Sequence, residues 1–248
     1  AEPWPGNCGC ATLPGREMAV PPDKLAENTR ELQRLAERSL GAGRLAEAQQ
    51  ACLRLLSIDR NYADAYFLLG VIAASVNRAA NALEFIDRAI SQNSNRGEFH
   101  AHRAKCLSLL RRDGEAVEAC RRALELGLND PLSLDTVGVV LSRAGQHDQA
   151  ADVYRRAVAL APKNPSYAFN LATALKFTGD FDESERAYEA AIRADETFWK
   201  AHSGLAQLRR QTPDSNHVQR LRKLLEKPGI DLDARLHLSH ALAKELED

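Results

Sequence analysis

Residues 170–195, NLATALKFTGDFDESERAYEAAIRAD, hold two helix-forming runs separated by Gly179. Leu171 and Leu175 in the first run, and Tyr188, Ala191 and Ile192 in the second, recur at helical spacing. Each run therefore turns one apolar stripe toward a common side, and neither helix buries its stripe alone. The same unit repeats along the chain with a stride of 34 residues. Ala36, Gly70, Ala104, Gly138, Ala172 and Ala206 form one column without a slip, preceded by Leu35, Leu69, Arg103, Val137, Leu171 and Leu205. A second small column runs Ala48, Ala82, Ala116, Ala150, Ser184, and a third runs Ala89, Ala123, Ala157, Ala191 with Leu55 as its first member. Between them lies a bulkier column of Cys52, Ile86, Cys120, Tyr154 and Tyr188. Small residues at fixed places mean backbones that cross closely, within a unit and between units. A period of this length is the mark of stacked helical repeats.

Five units follow from the stride: 29–62, 63–96, 97–130, 131–164 and 165–198. A sixth, 199–211, starts at Trp199 and loses the pattern at Pro213, whose ring stops a helix. Residues 23–211 read as the solenoid and 1–22 as a flexible Pro- and Gly-rich tail. Residues 212–248 read as irregular helices that either cap the stack or begin a further repeat. The tail lacks a basic region followed by an apolar one and so does not read as a signal peptide. Met18 is the single methionine. It is expected to be the natural start, with residues 1–17 owed to a vector or a mis-set frame; a mature N-terminus at Ala1 is the rival reading.

The pattern resembles the tetratricopeptide-repeat family. Its W-x2-L-G-x2-Y, A-x3-F and late Pro positions are met most fully by 131–164, through Val137, Gly138, Leu141, Gly145, Ala150, Tyr154, Ala157 and Pro162. The resemblance spans roughly residues 29–211. Arg103 departs from the usual leucine, and the late proline is present only in the fourth unit. The resemblance implies an all-α, right-handed superhelical solenoid of antiparallel helix pairs, about five to six repeats plus C-terminal helices. It also implies a protein-binding role without naming the partner.

Bulk properties narrow the function classes. With 33 Lys+Arg against 34 Asp+Glu, the chain carries a formal charge of −1, so no global field draws it to nucleic acid or to a membrane surface. The longest apolar stretch, residues 67–76, is about half of what a bilayer requires, so membrane insertion is not expected. Five cysteines form an odd set without disulfide-framework spacing, which points to a reducing compartment, with the cytoplasm as the default.

No catalytic constellation emerges. Cys52 and Cys120 belong to the bulky column and Cys106 aligns with Ile72 and Val140, so packing accounts for all three. Cys8 and Cys10 make a lone C-x-C without the second pair that a zinc site needs. His237 and His240 share a helix face without an evident carboxylate ligand. No nucleophile elbow, phosphate loop or dinucleotide fingerprint occurs. The chain is therefore not expected to be an enzyme or to hold a metal or cofactor.

What remains is the concave face, lined in such solenoids by the first helix of each repeat. Its middle stretch consists of Phe67, Leu68, Val71, Ala101, His102, Lys105, Asp135, Thr136, Val139, Arg143, Phe169, Asn170, Thr173, Lys176 and Phe177. This mildly apolar trough with three cations suits an extended protein or peptide segment that carries apolar and acidic side chains. The competing reading is that Phe67 and Phe169 only pad contacts between repeats. The clamp with which some family members hold a chaperone's terminal Asp is not assembled: Asn170 and Lys200 fit, but Asp135, Val139 and Gly204 hold the other places.

Residues 199–227 turn basic, with Lys200, Arg209, Arg210, Arg220, Arg222, Lys223 and Lys227 against Asp214 and Glu226. They read either as a solvated face or as a dock for an acidic partner. After Pro213 a helix capped by Asp214 or Ser215 is expected, then a Pro-Gly turn, then a last helix over 231–248 capped by Asp231 or Asp233. Aligned on its apolar residues, that helix puts Leu242, Ala243 and Leu246 at the family's leucine, small and bulky places, half a repeat expected to pack on 215–226. This 35-residue arrangement is similar to the joint in bacterial tetratricopeptide-repeat sulfotransferase proteins. It implies a larger parent enzyme whose downstream catalytic domain is a further partner, with this part recruiting a substrate protein or organising a dimer. The phosphate loop of that domain is absent from these residues. A stand-alone adaptor or assembly protein is the alternative.

Overall fold

The computed structural model describes residues 22–210, 212 and 216–248, with side chains from Glu27 onward. Among these residues the chain forms thirteen α-helices and no strand. They are α1 (Pro22–Gly41), α2 (Leu45–Ile58), α3 (Ala63–Ser75), α4 (Ala79–Gln92), α5 (Gly97–Leu109), α6 (Asp113–Glu125) and α7 (Pro131–Arg143). The remainder are α8 (His147–Leu160), α9 (Pro165–Thr178), α10 (Phe181–Ala194), α11 (Trp199–Ala206), α12 (Val218–Leu225) and α13 (Leu232–Glu247). The first helices α3, α5, α7, α9 and α11 start 34 residues apart, and so do the second helices α2, α4, α6, α8 and α10. Each first helix packs on its second and on the next unit, giving an all-α solenoid of antiparallel pairs. The tail with Cys8, Cys10 and Met18, and Pro213, Asp214 and Ser215, lie outside the described residues.

The turn inside each unit repeats one backbone state. Gly43, Gly145 and Gly179 have φ of 71, 76 and 87° there, and the corresponding Asn77 and Arg111 are held at 63 and 61°. Glycine and asparagine reach this left-handed region at little cost, whereas Arg111 stores strain. Pro131 and Pro165 open their helices at N1, behind the caps Asp130 and Asn164. The Asp130 Oδ1 accepts the Ser133 N–H at 2.8 Å, and the Asn164 Oδ1 accepts that of Ser166 at 3.0 Å.

The helix crossing inside a unit is closest where the small column meets the bulky one. A Cβ at Gly70 would lie 2.6 Å from Ile86 Cγ1, and one at Gly138 would lie 2.5 Å from the Tyr154 ring. Ala36 and Ala104 stand instead opposite the smaller Cys52 and Cys120, so volume removed from one helix is returned by the other. The fifth unit breaks this pattern. Ala172 leaves less room than a glycine, and the Tyr188 ring lies over Gly204 of α11, where a Cβ would approach it to 2.5 Å. The three described cysteines are buried, and burial pushes the Cys52, Cys106 and Cys120 thiols up to about 12, 11 and 12 respectively. They pack as small apolar groups.

The C-terminal end is held differently. α11 packs on α10 and α13, and α13 also packs on α12, around Ala206, Leu221, Leu224, Leu238 and Ala241. The expected stripe is off by one residue. Ala234, Leu238, Ala241 and Glu245 face inward, Leu242 is half-buried, and Ala243 and Leu246 are exposed. Glu245 explains the rotation. Its buried carboxylate accepts the His217 backbone N–H at 2.5 Å and lies 2.8 Å from His217 Nδ1, which caps α12 from another helix. α12 accordingly starts only at Val218, whereas α13 is capped as expected, with Asp231 accepting the Ala234 N–H at 2.7 Å.

The basic run from 199 to 227 finds its acidic partner inside the chain. Arg209 pairs with Asp182 and Glu185, Arg220 forks onto Glu189 at 3.0 and 3.1 Å, and Lys227 reaches Glu196 at 2.6 Å. His217 Nε2 adds a contact to Glu189 at 3.7 Å. Asp182, Glu185 and Glu189 share one face of α10, so the segment after α11 is laced to it by charge. Arg222 and Lys223 remain exposed.

Two outcomes follow. Gly138→Ala forces the Tyr154 ring to move and lowers stability by about 1–3 kcal/mol in urea unfolding, whereas Gly114→Ala, in open space within α6, raises it by about 0.5–1 kcal/mol. Raising salt to about 1 M shortens the charge interactions' range to about 3 Å, so amide protection in α12 and α13 falls while that in α5–α8 holds; equal loss in both regions would sink the ionic lacing.

Candidate functional site

The residues read from the sequence as groove lining fall on α3, α5, α7 and α9. On α3, half-buried Phe67 stacks on Phe99 at 4.7 Å between centroids and meets the His102 ring edge-on at 4.9 Å. Phe67 thus joins α3 to α5, and Val71 lies one turn along the same helix. His102 is the half-buried polar centre of this end. Burial, followed by the nearby Lys105 ammonium, lowers its pKa to about 4, so the ring stays neutral near pH 7.

The middle of the groove is bridged by a polar contact. Asn170 Nδ2 of α9 donates to Asp135 Oδ1 of α7 at 2.8 Å. Burial raises the Asp135 pKa, opposed by that hydrogen bond and by the Lys105 charge. Thr136 Oγ1 donates back to the Leu132 carbonyl at 3.0 Å, and Val139 is half-buried beside it on α7. Lys105 and Arg143 are exposed, and neither has an ion pair among the described residues.

The far end opens into a cavity of about 330 Å³ between α9, α10, α11 and α13. Phe169, Thr173, Lys176 and Phe177 form one wall, and Tyr188, Lys200, Ser203, Gly204, Gln207 and His237 complete it. Phe169 is braced edge-on against Tyr188 at 5.8 Å and Phe198 at 5.5 Å, so it both pads the repeat contact and lines the cavity. Phe177, 65% exposed, stacks on His147 at 4.5 Å with the rings 13° from parallel. Thr173 Oγ1 donates to the Phe169 carbonyl at 2.9 Å and lies 3.4 Å from the Tyr188 hydroxyl. Burial raises the Tyr188 pKa, keeping the phenol protonated.

The groove residues read from the sequence therefore separate into three places along one face. Phe67, Val71, His102 and Lys105 lie at one end, Asp135, Val139, Arg143 and Asn170 in the middle, and Phe169, Thr173, Lys176 and Phe177 at the cavity. Sequence reasoning missed Tyr188, Ser203, Gly204, Gln207 and His237 as cavity walls. A usable signal was present in the fifth unit, where a tyrosine stands opposite Ala172 and not opposite glycine. No group of three or more metal-ligating side chains occurs among the described residues, and no described helix is long and apolar enough to cross a membrane.

Two family models described as tetratricopeptide repeat match residues 34–97 and 141–208. No curated protein sequence matches the chain. Among solved structures, PilF of Pseudomonas aeruginosa superposes with a TM-score of 0.66 at 17% identity, covering 90% of this chain and 97% of that one. YrrB, described as a TPR protein with an unusual peptide-binding site, gives 0.58 at 19% identity over 81% and 95%. The Cut9–Hcn1 hetero-tetramer of the APC/C gives 0.63 at 15% identity, covering 89% of this chain and 46% of that one. At these identities the likeness speaks for the fold alone.

The His102 environment sets a pH dependence. Its folded pKa, about 4, lies below the ordinary 6.5, so the unfolded chain binds the extra proton first. Its contribution is full above about pH 6.5 and is lost as pH falls toward 4, on the order of 3 kcal/mol in all. Urea unfolding at pH 7 and pH 4.5 measures this, and His102→Gln flattens that part of the profile.

Proposed function

The chain belongs to the tetratricopeptide-repeat family, and from that premise we propose that it is a protein-interaction scaffold whose concave face holds an extended segment rich in acidic and apolar side chains. The observation that carries this reading is a set of cations without carboxylate partners on the first helices. Lys105, Arg143, Lys176 and Lys200 have no ion pair among the described residues, and the groove carboxylate Asp135 is held by Asn170. An acidic segment supplies the missing counter-charge, and Phe177 and Phe169 offer its apolar side chains a surface. The reading gives the chain a binding role and no chemistry of its own.

The finer proposal is that this scaffold serves a larger sulfotransferase-type protein in the cytoplasm of a bacterium. The similarity of the last 35 residues to the joint of such proteins supports it, and the gene sequence beyond codon 248 tests it.

Groove binding is tested with a labelled peptide of about a dozen residues alternating Glu and Leu, against a Lys/Leu control, by fluorescence anisotropy. The acidic peptide binds preferentially, and Lys105→Glu with Lys176→Glu weakens it by about tenfold or more, about 1.4 kcal/mol. Equal binding of both peptides, or indifference to the charge reversal, sinks the assignment.

A further inference from the structure

Within that groove the cavity between α9 and α13 has a more specific chemistry. None of the residues that line it is acidic, and two of them, Lys176 and Lys200, lack an ion pair among the described residues. One of its hydroxyls is set to donate. Ser203 Oγ accepts a hydrogen bond from Gln207 Nε2 at 3.1 Å, which leaves the serine proton free. Thr173 spends its proton on the Phe169 carbonyl, so at their 3.4 Å contact the Tyr188 hydroxyl donates to Thr173 Oγ1 and is held there. The Tyr188 ring takes the space that a side chain at Gly204 would need. Asp233 comes within 3.7 Å of His237, but its side chain is 67% exposed and faces water.

Two ammonium groups and the Ser203 O–H match a ligand that carries two negative charges and only acceptor atoms. A carboxylate brings one charge and leaves one lysine unmatched; a phosphoryl group near neutral pH brings ~1.5 to 2 charges and three acceptor oxygens. We propose that this cavity is a subsite for a phosphoryl group carried on the bound segment. The proposal rests on the scaffold reading above and narrows it from acidic to phosphorylated partners.

Inorganic phosphate is the probe, with acetate at matched ionic strength as the carboxylate comparator, and the amide resonances of Ser203, Gly204 and Gln207 are followed by NMR. Phosphate shifts these three resonances saturably and acetate binds at least about tenfold more weakly. Lys176→Gln and Lys200→Gln each weaken the phosphate response by a similar factor while the helical circular dichroism is kept. Equal affinity for acetate and phosphate overturns the phosphoryl assignment, as does a response that survives both substitutions or is absent from these residues. If the acidic peptide is still captured in that case, the scaffold reading stands and only the subsite falls; loss of both overturns both.

Discussion

Everything in this molecule depends on how closely the two helices of a repeat can cross. At Gly138 the Tyr154 ring takes the space of an absent side chain, and Gly70 admits Ile86 in the same way. Where an alanine stands in the first helix, the second brings a cysteine in two of the other units. In the first four units a glycine meets a large residue and an alanine a small one, a trade that the fifth unit, with Ala172 and Tyr188, does not keep. Because each unit contacts only its neighbours, the solenoid's stability is a sum of such crossings and of the contacts between units.

The fifth unit shows how the same constraint makes a site. Ala172 restricts the crossing, and Tyr188 lies over Gly204, where its hydroxyl becomes part of a cavity wall. The polar wall of the groove thus arises from a packing mismatch one helix away. The charges divide in a related manner. Asp182, Glu185 and Glu189 of α10 pair with Arg209 and Arg220, which follow α11, while Lys105, Arg143, Lys176 and Lys200 on the first helices have no ion pair among the described residues. A repeat protein that spent every carboxylate on its own lysines would have nothing to offer an acidic partner.

The fold was legible because its cause is periodic: small columns recurring without a slip declare helix crossings before any coordinates are known. The last helix was legible as a helix and misread in rotation. Leucines stand on both of its faces, Leu232, Leu236 and Leu246 on one and Leu238 on the other, and an error of one residue turns a helix by about 100°. Hydrophobicity alone had no way to choose; a buried glutamate reaching the end of α12 did. The basic run was read by itself, although its partners Asp182, Glu185 and Glu189 lie on the preceding helix at spacings that place them on one face. Of the groove, the residues on single helices were readable by position. Those that need two helices in contact, such as the Asp135–Asn170 bridge and the Tyr188–Gly204 approach, were not.

The buried Glu245 also orders events in time. It follows His217 by 28 residues, yet it supplies the capping acceptor for that residue's amide. During synthesis α12 therefore leaves the ribosome with its first turn unsatisfied and waits for the last turn of α13. The separation matches contacts between units upstream, such as Arg155 to Glu183 at 28 residues, but here it is a helix end that waits for its acceptor.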